Sequence, residues 1–169
     1  KQAEKLFTKI EKDFLKTIKI AKMAKTTPSI LAGDMFEDHW YLPKGSSWGS
    51  LLLKQANGNY IWKETSGTGS LSLSFETVFE KAKNADVWIT SGQFSSLKEM
   101  TNSNPHYAEF NAFENKNVYS FSGKKGKTGG ILYYELAPNR PDLVLKDLVK
   151  ILHPELLPSY EPFFFEKLK

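Results

Sequence analysis

The sequence predicts an α/β fold, a three-layer αβα lobe around a central, mostly parallel sheet, preceded by a long amphipathic helix. Short segments rich in β-forming residues alternate with helical segments, which is typical of a parallel sheet covered by helices on both faces. One such segment, residues 86–91, is continuous and apolar enough to be a central strand. A chain of 169 residues fits one Rossmann-like lobe of this kind.

The composition excludes several classes of protein. Hydrophobic residues make up 40% and charged residues 25% of the chain, as in an ordinary globular domain. Without cysteine, disulfides and thiolate metal sites are excluded. The net charge of +4 comes from the first 25 residues, where eight lysines face three acidic residues. Because this basicity belongs to one helix and not to a surface with base-reading groups, we expect no nucleic-acid partner.

The first 25 residues predict a helix. Thr26, Thr27 and Pro28 end it, since the residue before a proline disfavours helical geometry. We therefore divide the chain into a helix over residues 1–26 and a lobe over residues 27–169. The start at Lys1, inside a helical pattern and without methionine, indicates a processed or shortened chain. One apolar stripe recurs at three- and four-residue steps: Ala3, Phe7, Ile10, Phe14, Ile18 and Ala21.

The first half of the lobe begins with a buried strand over residues 29–33, after which Gly33 releases the backbone into a loop. A short extended piece follows at residues 40–42. Ser46 or Ser47 is a candidate cap for a helix that continues to residue 56 and ends at Asn57-Gly58. Residues 60–62 predict another strand.

In the second half, a polar loop at residues 63–70 precedes Ser74, which is expected to cap a helix over residues 75–83. Glu76 lies in the first turn of that helix, where a negative charge is favourable. The remaining segments follow in chain order: helical residues 94–100 and 106–113, a strand at 118–121, helices at 130–136 and 142–152, and a tail broken by prolines that ends in residues 163–165.

One glycine-rich motif resembles a nucleotide-binding signature. Residues 122–128 read Ser-Gly-Lys-Lys-Gly-Lys-Thr, but Phe121 stands where a phosphate-binding P-loop needs glycine. We interpret the segment as a ligand-facing loop after a strand. A flavodoxin-like or Rossmann-type cofactor domain stays open as an alternative, although the loop after Gly33 lacks the phosphate-binding glycines of such domains.

The three histidines are scattered along the chain, without the spacing of zinc or iron ligands. His39 is the exception of interest, since it lies in an acidic and aromatic loop. With Asp34, Glu37 or Asp38 it leaves open a receptor for a free metal ion.

Ligands of open α/β sheets bind outside the carboxyl ends of the strands. The loops expected there cover residues 35–40, 65–70, 92–95 and 122–128. Trp62 and Trp88 are interpreted as core, whereas Trp40 and Trp48 are open between packing and ligand contact. The predicted ligand-binding residues are Phe36, His39, Trp40, Trp48, Thr68, Gly69, Ser70, Gln93, Phe94, Lys124, Lys125 and Lys127.

The last third of the chain carries a resemblance. Residues 86–91 are followed by Gly92, by a helix with Leu97, Lys98 and Glu99, by a strand at 117–121, by a glycine-rich loop and by the run 139–155. This succession resembles the C-terminal lobe of a substrate-binding protein of a bacterial ABC importer, of the type that captures ferric siderophores, haem or cobalamin. The first helix looks like the end of the single helix that joins the two lobes in that family, and residues 30–62 and 70–76 resemble family segments.

The resemblance implies a receptor and not an enzyme. The cargo is expected to be an iron complex, haem or cobalamin held between two lobes, with no further cofactor. The N-terminal lobe is expected to be absent from this chain, and the protein to be periplasmic or exported and lipid-anchored. Ser70 stands where cobalamin-binding relatives carry a tryptophan, which argues against cobalamin.

Two further roles follow from the resemblance. Glu76 matches a carboxylate that docks into arginine pockets of the membrane permease, although its place in a first helical turn explains it equally well. Lys124, Lys125 and Lys127 suit an anionic ligand, such as a carboxylate siderophore or the propionates of haem.

Overall fold

The computed structural model describes residues 2–169, and it confirms the predicted α/β class. Its eight strands are β1 (Ser29–Ala32), β2 (Asp34–Phe36), β3 (His39–Pro43), β4 (Asn59–Tyr60), β5 (Ser70–Leu73), β6 (Val87–Thr90), β7 (Val118–Ser120) and β8 (Glu166–Lys167). The seven α-helices of the described residues are α1 (Gln2–Ala21), α2 (Trp48–Gln55), α3 (Phe75–Ala82), α4 (Leu97–Ser103), α5 (Asn111–Glu114), α6 (Leu132–Leu136) and α7 (Pro141–Leu152).

The central sheet has the strand order β4-β1-β6-β7-β8. Its first four strands run parallel, as predicted, and the predicted central strand β6 lies in the middle of the sheet. The edge strand β8 is antiparallel to β7 and was not predicted, because the prolines of the tail indicated a broken segment. The end of the chain therefore completes the sheet.

A second, three-stranded antiparallel sheet has the order β2-β3-β5. The sequence predicted an extended piece in the region of β3, but not the pairing of β3 with β5, from Trp40↔Leu73 to Pro43↔Ser70. This sheet leaves the central one at Gly33, whose φ of 76° carries the chain from β1 into β2. A Cβ atom at Gly33 would overlap the carbonyl of Tyr41, so the position requires glycine for space as well as for conformation.

Two helix caps occur where the sequence predicted them. The hydroxyl of Ser47 accepts a hydrogen bond from the Ser50 amide, and the hydroxyl of Ser74 accepts one from the Thr77 amide, each at 3.3 Å. The end of α2 differs in detail, since Asn57 takes the positive φ, at 59°, that was expected of the glycine after it. Asparagine tolerates this geometry better than other non-glycine residues.

Helix α1 ends at Ala21, earlier than predicted, in a turn closed by a bond from the Met23 amide to the Ile20 carbonyl. It packs against α7. Only the second half of its apolar stripe is covered: Ala21 is buried, whereas Phe7 is 67% exposed. In the part of the chain that the structure describes, no helix combines the length and apolarity needed to cross a membrane.

An aromatic cluster fills the core between the two sheets. Trp40 and Trp88 are both fully buried, with ring centroids 5.3 Å apart, and Phe110 packs against both. The indole nitrogen of Trp40 donates to the Ala32 carbonyl at 2.9 Å. The prediction that Trp40 contacts ligand is therefore wrong, because β3 turns this side chain inward. The assignment of Trp62 and Trp88 to the core is confirmed.

Candidate functional site

A cavity of about 340 Å³ opens at the carboxyl ends of β1 and β6. Its lining is mostly apolar and aromatic, as in sites for organic ligands. The residues that line it are Ala32, Gly33, Tyr41, Leu42, Pro43, Gly49, Leu52, Leu53, Ser70, Ile89, Ser91, Phe121, Tyr133, Tyr134, Leu148 and Phe165.

A second, shallower cavity of about 640 Å³ adjoins the first. The two share Tyr41, Ser91 and Tyr134, so they form one continuous groove, which we call the carboxyl-end cleft. The second cavity is lined by Asp34, Met35, Phe36, Tyr41, Ser91, Gly92, Gln93, Phe94 and Tyr134. The cleft lies where ligands of open α/β sheets bind.

The aromatic wall of the cleft is built on α6 and the end of β7. The rings of Phe121 and Tyr133 stack with centroids 4.2 Å apart, and Tyr134 meets Phe121 edge to face at 5.8 Å. Tyr134 is 60% exposed and Tyr41 43%, so both present ring faces or edges to the cleft. Burial raises the pKa of the Tyr133 hydroxyl above its ordinary value, and the nearby Tyr134 and Asp147 add to the shift.

Asp34 lines the second cavity and is hydrogen-bonded to Ser91, which lines both cavities; we call this part of the lining the floor of the cleft. The Thr90 hydroxyl donates to one carboxylate oxygen at 2.9 Å and the Ser91 hydroxyl to the other at 2.8 Å. Burial raises the pKa of Asp34, while these two hydrogen bonds and a third from the Gly92 backbone oppose the shift. Tyr134 lies close enough for the Asp34 charge to add to the effect of burial in raising the tyrosine pKa.

Gly92 allows the loop after β6 to lie directly against the Asp34 carboxylate. A Cβ atom at Gly92 would overlap both the Asp34 carboxylate and the Phe94 ring. The Gly92 amide donates to the Thr90 hydroxyl at 3.0 Å, and its carbonyl accepts from Ser122 at 2.5 Å. The loop after β6 is thus held against Asp34 by its backbone.

Several predicted site residues do lie at this cleft. Ser70, Phe36, Gln93 and Phe94 line it. Trp48 lines neither cavity; it is 44% exposed, with its ring centroid 6.3 Å from that of Tyr133, which does line the cleft.

Three other predicted residues lie outside the lining. His39 is exposed and 6.5 Å from the Tyr41 ring. Thr68 and Gly69 are exposed in the loop before β5 and line neither cavity.

The glycine-rich loop over residues 122–128, which carries three lysines, does not face the cleft. The Lys124 ammonium donates to the carbonyls of Pro162 and Phe163 at 2.6 and 3.0 Å, and the residue lines a separate cavity beside β8. Lys125 and Lys127 are exposed and line neither part of the cleft. The structure therefore does not bring these three predicted ligand residues to the aromatic wall.

The loop closes instead on an acidic side chain of its own chain. The Thr128 hydroxyl donates to Glu135 at 3.0 Å. The Glu135 carboxylate lies so close to Gly126 and Gly130 that a Cβ atom at either would overlap it. An acidic side chain of the protein thus lies against the glycines of this loop, where its negative charge would oppose the binding of a phosphate.

The residues that sequence reasoning missed are Tyr41, Tyr133 and Tyr134, together with Asp34 as a cleft residue. Tyr133 and Tyr134 were hidden in a predicted helix over residues 130–136, which is shorter in the structure because Ile131 pairs with Lys125. The adjacent tyrosine pair beside a glycine-rich loop was the available signal.

The metal-site alternative finds no assembled ligand set. Across residues 2–169, no three His, Cys, Asp or Glu side chains gather in a way that could hold a metal ion. The carboxylate of Asp34 faces Thr90 and Ser91, while His39 is exposed at the start of β3.

Glu76 is fully exposed in the first turn of α3. Its pKa is lowered by a hydrogen bond from its own backbone amide and by the Ser74 hydroxyl. The carboxylate is thus ionised and directed to solvent, available to a partner.

Comparison with known proteins gives a consistent family. A family model described as "Periplasmic binding protein" matches residues 1–124. An uncharacterized lipoprotein of Methanocaldococcus jannaschii is 32% identical over 169 residues, which is 98% of this chain and 38% of the relative. A second, uncharacterized protein of that organism is 26% identical over 160 residues, covering 92% of this chain and 46% of the relative. The chain thus spans less than half the length of these curated relatives.

Solved structures share the fold. The TroA-like periplasmic binding protein FepB of Veillonella parvula has a TM-score of 0.70 at 16% identity, over 99% of this chain and 56% of that one. The periplasmic heme-binding protein RhuT of Roseiflexus has a TM-score of 0.67 at 15% identity, over 90% of this chain and 56% of that one. The heme-binding protein HutB of Vibrio cholerae has a TM-score of 0.58 at 16% identity, over 85% and 58%.

Proposed function

This chain belongs to the periplasmic binding protein family, and on that premise we propose that it captures an iron complex or haem for an ABC importer. Proteins of the family bind solutes and are typically not enzymes. The observation that carries the proposal is the carboxyl-end cleft, which presents aromatic faces and a few hydroxyls at the end of a parallel sheet. Such a lining suits a large organic ligand held by contact area with a few polar anchors.

We propose that the chain is one lobe of a two-lobe receptor, with α1 as the end of the connecting helix. The support is the coverage: the chain matches nearly all of its own length but only 56% of FepB and 38% of the lipoprotein relative. An open cleft on one lobe gains its second wall from the other. We call this chain, together with the lobe proposed to precede it, the two-lobe protein.

The cargo is proposed to be an iron complex or haem, because structural neighbours are named for heme binding and for iron binding. Cobalamin is the weaker candidate, since Ser70, at the cleft edge of β5, offers a hydroxymethyl group and not a large ring. A free metal ion has no assembled ligand set within residues 2–169. A nucleotide cofactor would meet Glu135 in the glycine-rich loop.

We further propose that the protein acts outside the cytoplasm, periplasmic or lipid-anchored at the cell surface. The family description and the lipoprotein relative support this placement. Cell fractionation of the native protein, with globomycin-sensitive processing as a test of lipidation, distinguishes the two forms of anchoring. Recovery in the cytoplasmic fraction alone would contradict the proposal.

Trp48 is a built-in reporter for capture. The other three tryptophans, Trp40, Trp62 and Trp88, are at most 4% exposed, whereas Trp48 is 44% exposed beside Tyr133. Titrating the two-lobe protein with haem, cobalamin and ferric siderophores should give saturable fluorescence quenching by one ligand at or below about 1 μM. In the Trp48→Phe variant the amplitude of that quenching should fall while calorimetry still detects binding. Absence of binding across the whole panel would contradict the proposed function.

Glu76 is proposed to dock on the permease through charge-assisted hydrogen bonds. Glu80, also exposed and one turn further along α3, is the matched control. Glu76→Gln should lower uptake in cells about tenfold while leaving ligand affinity unchanged, and Glu80→Gln should leave both unchanged. Equal uptake by the two variants would show that Glu76 only stabilises its helix.

A further inference from the structure

Three aspartates are nearly or completely buried, and they differ in what satisfies them. Asp142 pairs with Arg140 through two hydrogen bonds, at 2.9 and 2.8 Å. Asp147 accepts four bonds, from Tyr160 and from three successive backbone amides. Asp34, at 8% exposure, accepts bonds from two neutral hydroxyls and faces a cavity.

No cation compensates Asp34. Among the ion pairs of residues 2–169, none includes it. A carboxylate removed from water is costly unless it is paired or well hydrogen-bonded. Each of its oxygens accepts from one side-chain hydroxyl, the Gly92 backbone adds a further hydrogen bond, and the carboxylate, with about four lone-pair sites, retains acceptor capacity toward the cleft.

The rest of the cleft adds no positive charge. None of the described residues that line it is lysine, arginine or histidine. The aromatic rings at the rim, Phe36, Tyr41 and Tyr134, are 43–68% exposed. Ring faces carry partial negative charge and attract cations. The floor and the rim thus favour the same sign of ligand charge.

We propose that Asp34 determines the specificity of this cleft, receiving a cationic or hydrogen-bond-donating group of an organic metal chelate that is neutral or positive overall. The inference rests on the proposed function and, between its two proposed cargoes, selects an iron complex over haem, whose propionates are anionic. A polyanionic chelate would place its charge against a buried carboxylate and electron-rich rings, with no cation of this lobe to offset it. The anionic cargo expected from Lys124, Lys125 and Lys127 is therefore not the class that this lobe selects.

The test is calorimetric titration of the two-lobe protein with three ferric chelates. The first is a linear trihydroxamate with a free ammonium group, the second is the same chelate with that group acetylated, and the third is a polyanionic tricatecholate. We expect the wild type to bind the ammonium chelate about tenfold or more tightly than the tricatecholate, with the acetylated chelate between them.

Asp34→Asn is the decisive variant, because the amide keeps the shape of the carboxyl group without its charge. It should lose about tenfold in affinity for the ammonium chelate and remove the difference between this chelate and its acetylated form. The matched control is Asp38→Asn, which deletes the same charge from the exposed turn between β2 and β3 and should bind like wild type.

The outcomes separate the two proposals. Binding of none of the three chelates, and of no haem in the same titration, by the wild type would contradict the proposed function, whereas binding of haem alone would overturn the role of Asp34. Binding that is tightest for the tricatecholate, or equal in Asp34→Asn and wild type, would overturn the role of Asp34 and leave the proposed function standing.

A second variant decides the matter if Asp34→Asn does not fold. Thr90 is fully buried, and its hydroxyl donates to Asp34 and accepts from the Gly92 amide, so Thr90→Val affects both the carboxylate and the loop after β6. A change in the loop affects both chelates alike, so the ratio of their affinities isolates the carboxylate. With one donor fewer on Asp34, the affinity for the ammonium chelate relative to the acetylated chelate should rise about threefold. An equal change for both chelates would contradict the assignment.

Discussion

The floor of the cleft and the junction between α7 and the C-terminal tail are both built on a buried aspartate, and they use it differently. At the junction, Asp147 accepts the amides of Phe163, Phe164 and Phe165, at 2.6–3.3 Å, and so fixes the tail to the helix. At the floor, Asp34 accepts hydrogen bonds mainly from the Thr90 and Ser91 hydroxyls, with one further contribution from the Gly92 backbone, and borders open space.

This difference gives a criterion for distinguishing a buried aspartate that stabilises the fold from one that binds a ligand. Backbone amides cannot leave without unfolding a segment, so an acid that they saturate has no capacity left for a ligand. Hydroxyls rotate and can exchange partners at small cost. An aspartate that is held mainly by hydroxyls beside a cavity is thus partly hydrogen-bonded in the empty protein and can still accept a hydrogen bond from a ligand.

The largest expected effect is at the junction. Asp147 is fully buried. Its replacement by alanine would leave three backbone amides and the Tyr160 hydroxyl without their acceptor. We expect the free energy of unfolding to fall by about 3 kcal/mol. Urea denaturation followed by circular dichroism measures it, with the exposed Asp38→Ala as a control expected to change little. If the free energy of unfolding fell by less than about 1 kcal/mol, Asp147 would not be the structural aspartate of this comparison.

At the floor of the cleft we expect Asp34→Asn to change the free energy of unfolding much less than Asp147→Ala does. Asp34→Asn removes a desolvated charge that no cation pairs with, so the free energy of unfolding should stay within about 1 kcal/mol of wild type or increase. The same urea experiment measures it. A loss as large as that of Asp147→Ala would show that Asp34 is structural.

The smallest effect is on the pH dependence of stability. Burial raises the pKa of both Asp34 and Asp147 above the ordinary value of 3.8. Between that value and the raised one the folded protein binds more protons than the unfolded chain, so this contribution to stability falls as pH rises. Urea midpoints measured from about pH 4 upward should decline less in Asp34→Asn than in wild type. Parallel curves would indicate that the pKa of Asp34 is not raised.

The elements that the sequence predicted well are those set by local signals. Ser47 and Ser74 cap their helices because a cap depends only on a few neighbouring residues. Strand β8 was missed because its pairing with β7 joins residues far apart in the chain, such as Tyr119 and Lys167. Its two residues carry too little pattern to indicate a strand.

The site was predicted by region and not by residue. Strand β3 alternates between exposed and buried positions, so Trp40 and Leu42 point inward while His39 and Tyr41 point outward. Applying this period of two would have exchanged Trp40 for Tyr41 as the ligand residue. The role of Asp34 could not be read from the sequence, because Thr90 and Ser91, which hold it, lie 56 and 57 positions away.

The pairing of β8 with β7 has a consequence for chains that lack β8. Without residues 166 and 167, β7 has no antiparallel neighbour and remains an open edge strand. Unpaired strand edges in incomplete chains are sites of aggregation. Chains cleaved a few residues short of Glu166 would therefore expose this edge and be more prone to aggregation and proteolysis.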